Sequence, residues 1–299
     1  MKIVMAGGTG FLGRPLAEAL SRSGCEVVVL SRDGGVAGPA RTVRWAPDGS
    51  VGAWASEIDG CGAVVNLAGE PIAGKRWTEA QKDRIRTSRI LATRSLVEAI
   101  NGATRPPSVF VSGSAVGYYG ALGDEIAAEE HRAGRDFLAG VCVDWEAEAR
   151  RAAASATRTV LVRTGLVLER DGGALPQMLP PFRFGVGGPV GSGRQYWPWI
   201  HRADWIAMVQ WAVATPAVDG ALNATAPAPE TNAAFARALG RAMHRPALMP
   251  APAFALRIAL GEMADALLLT GQRAVPAKAE RLGFAFKYRD LPAALASLF

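Results

Sequence analysis

KIVMAGGTGFLG, residues 2–13, is the stretch that most limits what this chain can fold into. KIVMAG is a short apolar run with β-branched residues, and GGTGFLG follows at once. RPLAEALSRSG comes next, with Leu16, Ala17 and Leu20 at helical spacing and Gly24 as a stop. CEVVVLSR is then a second buried strand. Strand, glycine loop, helix, strand is a βαβ unit. In such a unit Gly7 permits a tight turn, Gly10 lets the backbone approach a pyrophosphate, and Gly13 lets helix and strand pack closely. The free N–H groups at the helix start suit phosphates. A glycine triplet alone also serves simple turns, but its place between strand and helix marks a dinucleotide site.

The end of the second strand bears on which dinucleotide. An acidic residue there would bind the ribose 2′-hydroxyl of NAD, whereas this chain has Ser31 and Arg32. A hydroxyl and a guanidinium suit a 2′-phosphate, so NADP is expected over NAD. Further on, GAVVNLAGEPI is another buried strand, and Asn66, Leu67, Ala68 and Gly69 follow where the ribose and nicotinamide would lie.

Composition excludes several classes. The chain has 299 residues, 49% hydrophobic and 20% charged, which is ample for a sizeable core. It lacks a run of about 18 apolar residues, so neither a spanning helix nor a membrane partner is expected. The N-terminus runs straight into the glycine loop and has no signal-peptide cleavage pattern. Cys25, Cys61 and Cys142 are scattered without ligand spacing, which points to a reducing, cytoplasmic setting and to no metal. The net charge of +6 is dispersed, so no nucleic-acid partner is expected.

GGTGFLG, SR after strand two, NLAG after strand four and VSGSAVGYYG after strand five form an ordered set. It resembles the extended short-chain dehydrogenase/reductase superfamily, in its sugar-nucleotide epimerase/dehydratase branch. RTGLVLERDGG (163–173) looks like that family's loop after strand six, and WIHRADWIAMV (199–209) like its Val-His-x-x-Asp segment. NLAGEPI…KRW, PFRFGVGGPVGSGRQYWPWIH and GEMADALLLTGQRAVPAKAERLGFAFKY resemble the atypical "epimerase family" group more closely still, with its C-terminal segment over about 250–298. The resemblance implies an α/β fold: a Rossmann-type doubly wound parallel sheet with a smaller, mainly helical C-terminal substrate lobe. The expected division is 1–225 for the nucleotide domain and 226–299 for the lobe, with 170–200 contributing to the lobe. It implies cofactor contacts from Gly7, Thr9, Gly10, Phe11, Leu12 and Gly13 at the pyrophosphate and from Ser31 and Arg32 at the 2′-phosphate. Leu67, Ala68 and Gly69 would lie beside the riboses, with Arg84 and Arg89 on the helix after strand four and Leu166 at the nicotinamide.

One departure matters. Active members of the superfamily place Tyr-x-x-x-Lys on the helix after the Ser-containing strand. Here that helix is DFLAGVCVDWEAEARRAA, capped by Asp136, and it holds neither Tyr nor Lys. Counted back from Glu146, the Tyr slot falls at Leu138 and the Lys slot at Cys142. Hydride transfer still needs a proton partner. An unperturbed phenol, with a pKa near 10, is only about one part in a thousand phenolate at neutral pH. Ser114 matches the family's catalytic hydroxyl, with Ala115 in that slot on an ungapped count. Tyr118 or Tyr119 is the candidate proton donor, and packing at the strand's end is the alternative for both. His201, three residues before Asp204, is either a base or a structural residue at a helix start.

The substrate cleft is expected between GKRW (74–77), with Arg76, and GGPVGSGRQYWPW (187–199), with Arg194, Gln195, Trp197 and Trp199. The tryptophans either wall a ligand or pack against the C-terminal helices. Two functions follow. One is an NADP-dependent oxidoreductase or epimerase-like enzyme for a small polar substrate, sugar-nucleotide-like or carbonyl, as a monomer or homodimer. The other is a non-catalytic NADP-binding sensor or assembly protein.

Overall fold

The apolar runs of the first 225 residues become one continuous sheet. The structure is a computed structural model that describes residues 1–34, 38–155 and 157–299. The sheet's strands are β1 (Lys2–Ala6), β2 (Glu26–Ser31), β3 (Arg41–Arg44), β4 (Ala63–Asn66), β5 (Val109–Ala115), β6 (Arg158–Thr164) and β7 (Gly220–Ala224). All pair in parallel, in the order β7-β6-β5-β4-β1-β2-β3. Strand order reverses beside β1, and the crossovers diverge there. That leaves a crevice at the carboxyl ends of β1 and β4, where doubly wound sheets bind ligands. Ala6 pairs with Asn66, so the glycine loop and the NLAG turn leave the sheet side by side.

Helices cover both faces. They are α1 (Gly13–Arg22), α2 (Glu79–Asn101), α3 (Phe137–Arg150), α4 (Leu175–Arg183), α5 (Arg202–Ala214), α6 (Asn232–Ala242), α7 (Ala253–Leu260), α8 (Ala277–Arg281) and α9 (Leu291–Ala296). Side chains alternate across a strand, so Ile3 and Met5 pack with α1 and α5 while Val4 and Ala6 pack with α2. Asp136 caps α3 by accepting from the Ala139 amide at 2.9 Å, and Thr231 caps α6 from Ala234 at 3.3 Å.

A third core lies beyond the sheet. It joins Leu175 and Phe182 of α4, Trp197, Trp199, Phe235 of α6 and Leu291 of α9. The short strand Tyr196–Trp197 pairs antiparallel with Glu230–Thr231, tying the Gly/Trp-rich segment to the start of α6. The C-terminal tail is held onto the sheet domain by buried Asp204 of α5. Its two carboxylate oxygens accept from the Lys287 and Tyr288 amides at 2.7 and 2.9 Å. All three cysteines are unbridged. Among the described residues, no helix is long and apolar enough to cross a membrane.

Candidate functional site

The glycine loop has the shape of a phosphate cradle, for two local reasons. Gly7 adopts φ +77°, and a Cβ there would lie 2.6 Å from the Leu67 carbonyl carbon. A Cβ at Gly13 would lie 2.1 Å from the Gly7 oxygen, so α1 can start against the turn only without a side chain. Gly10 differs: its nearest such contact is the Gly7 oxygen at 3.4 Å, which leaves its outer side open. Among the described residues, the Phe11 and Leu12 amides have no partner within the chain. They are the unsatisfied donors that a helix start offers to an anion. Thr9 lies exposed in the same turn, and the Phe11 ring packs against Gly172 and Gly173 of the loop that follows β6.

Ser31 ends β2, Arg32 follows it, and Ser31 pairs with Arg44 at the end of β3. Arg32 and Arg44 line one cavity of about 440 Å³ with Trp45, Ser50 and Trp54. Neither arginine makes an ion pair among the described residues, and no carboxylate lines the cavity. Asp48 lies nearby in sequence, but its carboxylate accepts from the Ser50 amide and hydroxyl at 2.9 and 2.6 Å, which holds its pKa below the usual range. The sequence reading missed Arg44. Its signal is present, since a polar residue closes a parallel strand next to β2, but the pairing of β3 with β2 is needed to see it.

The NLAG turn is built from below. The Leu67 amide donates to the Ala6 oxygen at 2.9 Å and the Ala68 amide to Asn66 Oδ1 at 3.1 Å. Asn66 Nδ2 donates in turn to Thr93 Oγ1 at 2.9 Å. Arg89 lies under Gly69 and donates to the Glu70 and Ile85 carbonyls at 3.1 and 2.8 Å. Burial lowers its guanidinium pKa from the ordinary value. Arg84 is exposed and donates to Gln81 Oε1 at 2.9 Å. Leu166 is half-buried, and its amide donates to the Pro198 oxygen at 2.7 Å.

At the end of β5 the two tyrosines part company. Tyr119 is 1% exposed; its hydroxyl donates to Asn223 Oδ1 at 2.6 Å and accepts from Arg163 Nη1 at 3.0 Å. Burial pushes its phenol up to about 12. Tyr118 is half-buried and stands edge-on to Tyr119, with the Arg163 guanidinium carbon 3.5 Å from its ring centroid. Among the described residues its hydroxyl has no partner.

Arg163 and Glu146 form the buried ion pair that organises this corner. Arg163 Nε and Nη2 donate to the two Glu146 oxygens at 2.7 and 2.9 Å. Burial is the largest single influence and opposes the guanidinium charge, but the hydrogen bonds and charges of Glu146 and Tyr119 together outweigh it and raise the pKa. Ser114 Oγ donates to the same carboxylate at 2.7 Å, so its proton points away from the crevice. Sequence reading missed this pair as well. An Arg inside the buried strand RTVLVRT and a Glu on the buried side of α3 each call for an opposite charge, but nothing local says they share one.

The dyad slots hold apolar groups. Leu138 packs in a cluster with Trp77, Ile85, Phe137, Leu260 and Met263, which joins the GKRW loop to the C-terminal segment. Cys142 is buried; desolvation pushes its thiol up to about 12, with the Glu146 charge adding to the rise. His201 caps α5, its Nδ1 accepting from the Ala203 amide at 3.0 Å, and it stacks on Tyr288 at 4.1 Å. Burial lowers its pKa below the ordinary value.

The expected cleft residues are dispersed. Arg76 is exposed and runs beside Gly261, and Arg194 is exposed. Gln195 is buried as a brace, donating to the Val190 and Leu268 carbonyls at 3.0 and 2.7 Å. Trp199 is enclosed and donates to the Ala228 oxygen at 3.0 Å; Trp197 packs edge-on to Phe235, its indole N–H unpaired among the described residues. Both tryptophans thus belong to the third core.

Similarity to known proteins agrees with this layout. Residues 3–224 match the NAD dependent epimerase/dehydratase family, and residues 251–298 match a domain of unknown function, DUF1731. Epimerase family protein Mb2239 of Mycobacterium bovis is 42% identical over 297 residues, covering 98% of this chain and 96% of that protein. The crystal structure of human epimerase family protein SDR39U1 (isoform2) with NADPH is 36% identical, covers 100% of this chain and 99% of its own, and superposes with a TM-score of 0.91. MoeE5 in complex with UDP-glucose and NAD, at 20% identity and a TM-score of 0.79 over 100% of this chain and 97% of its own, shares the fold. On these grounds the chain belongs to the NAD dependent epimerase/dehydratase family, as an atypical short-chain dehydrogenase/reductase of the epimerase-family group.

Proposed function

We propose that the protein is an NADP-dependent, epimerase-like oxidoreductase acting on a small polar substrate, sugar-nucleotide-like or carbonyl, through Ser114 and Tyr118. The observation that carries this reading is the Arg163 guanidinium against the face of Tyr118, whose hydroxyl has no partner among the described residues. A permanent cation beside a free phenol stands in for the absent Lys. NADPH, when bound, supplies the hydride. Ser114 donates a hydrogen bond to Glu146, so its oxygen is left to accept one from the hydroxyl of the substrate's alcohol form. Tyr118 moves the proton at the reacting oxygen. Tyr119 braces Arg163 from behind.

The cofactor reading rests on the cradle at Gly7–Gly13 and on Arg32 and Arg44, two arginines without ion-pair partners that would share a 2′-phosphate with Ser31. The NADPH held by human SDR39U1 supports it. We assign the substrate side to a lobe built from about 166–201 and 226–299, and the compartment to the cytoplasm, in keeping with three free thiols.

A second reading is a non-catalytic NADP-binding protein, favoured by the buried thiol of Cys142 in the Lys slot. Titration with NADPH and NADH tests the cofactor: NADPH should bind more tightly, and Arg32→Ala or Arg44→Ala should each remove about tenfold of that preference. Equal affinities in the parent protein would sink it. A screen of sugar nucleotides and small carbonyls with NADPH then separates the two readings. Turnover that Tyr118→Phe abolishes supports the first, and tight cofactor binding with no turnover supports the second.

A further inference from the structure

The C-terminal lobe carries an apolar surface that the proposed chemistry does not use. Helix α7, AFALRIAL, has one polar residue in eight, yet none of its side chains is buried. Phe254 and Ile258, one turn apart on one face, are 67% and 73% exposed. The neighbouring segments continue the surface. Residues 187–191 run alongside 249–251, with the Met249 amide on the Gly187 oxygen at 3.1 Å and the Ala251 amide on the Pro189 oxygen at 2.8 Å. Just beyond this seam, Phe184, Val186, Leu248 and Met249 are 82%, 48%, 83% and 56% exposed. An apolar helix and loop pair left in water at this level marks a contact surface.

Charge decides what the surface meets. Residues 172–201 and 231–261, which build it, contain six arginines and no Asp or Glu, and five of the six, all but Arg257, make no ion pair among the described residues. Arg183 adjoins Phe184, and Arg241 and Arg245 lead into Leu248; all three are exposed and make no ion pair among the described residues. The acidic groups that follow α7 are neutralised locally, Asp265 by Arg257 at 2.8 Å and Glu262 by Lys82 at 3.1 Å. A second copy docked about a two-fold axis would set arginine against arginine. A bilayer needs no matching cavity for protruding Phe and Leu side chains, and its anionic headgroups meet the arginines.

We propose that this face, centred on α7 and the 184–191 and 245–251 segments, is a peripheral docking surface for an anionic lipid bilayer. The attachment is reversible and interfacial, with Phe254, Ile258 and Leu248 entering the headgroup boundary and the arginines lying on it. It is independent of the proposed chemistry.

Flotation of the full-length protein with vesicles tests this. The protein should float with phosphatidylcholine mixed with phosphatidylglycerol, stay in solution with phosphatidylcholine alone, and detach as salt rises. Phe254→Ser combined with Ile258→Ser, and separately Leu248→Ser combined with Met249→Ser, should each cut the partition about tenfold or more. NADPH affinity and thermal unfolding of both variants should match the parent, which shows that they fold. No flotation with either lipid, or flotation that both variants retain, overturns the proposal. So does a parent dimer that the same substitutions split, which would make the face a contact between copies. Binding to polyglutamate but not to vesicles would point to an acidic protein and overturn it too.

Discussion

The Arg163 guanidinium carbon stands 3.5 Å from the centre of the Tyr118 ring, and the same group donates to the Tyr119 hydroxyl at 3.0 Å. One cation therefore serves two adjacent phenols in different ways, on the face of one and at the oxygen of the other. Tyr118→Phe should remove turnover while leaving stability within about 0.5 kcal/mol of the parent, because its hydroxyl has no partner among the described residues. Tyr119→Phe should cost about 1–3 kcal/mol, since it leaves Asn223 Oδ1 and an Arg163 N–H short of a partner. Turnover assays and urea unfolding of both variants check the pair. The reverse pattern would reassign the proton donor to Tyr119.

Glu146 is fully buried and holds Arg163, Ser114 and Arg150 at once. Glu146→Ala should destabilise by about 3–5 kcal/mol, because the Arg163 charge is left in the interior without its counter-ion. Arg163→Met should disturb the fold less, because Glu146 keeps Arg150 and Ser114 as partners, yet abolish turnover by freeing Tyr118 from its cation. Chemical denaturation alongside a turnover assay separates these effects, and equal stability losses would count against the assigned roles.

The three loop glycines should respond differently to a methyl group. Gly13→Ala meets the Gly7 oxygen at 2.1 Å and should cost about 1–3 kcal/mol of stability. Gly10→Ala has only the 3.4 Å contact and should fold like the parent while losing NADPH affinity. Thermal unfolding with cofactor titration reads both. A Gly10→Ala protein that binds NADPH normally would place the pyrophosphate elsewhere.

His201 gives stability a pH dependence. Its Nδ1 must stay unprotonated to accept from the Ala203 amide, and burial holds its pKa below the ordinary 6.5. The unfolded chain therefore binds the proton first as pH falls. The histidine's contribution is complete above about 6.5 and is lost as pH drops through the folded-state value. Melting temperature should fall between about pH 7 and pH 5, and His201→Asn, which keeps an acceptor for the cap, should flatten that fall. An unchanged pH slope in the variant would remove His201 as its source.

Sequence alone determined whatever depends on neighbours along the chain. The glycine loop was legible because a turn, a helix start and a close backbone approach are set by a few consecutive residues. So was the cap at Asp136, and so was the loss of the Tyr-x-x-x-Lys pair, which is a matter of residue type and spacing on one helix. Tertiary structure decided what depends on meetings across the chain. Tyr118 and Tyr119 are the same residue type side by side; only the short turn that aims one at Asn223 of β7 and leaves the other under Arg163 tells them apart. Arg44 joins Arg32 because β3 adds to the sheet beside β2, and Glu146 finds Arg163 because α3 packs against β6. Trp197 and Trp199 turned inward because α6 and α9 offered an apolar core for them. Exposure is the least local property of all: AFALRIAL is apolar in seven residues of eight, and only the packed chain shows that none of its side chains is buried.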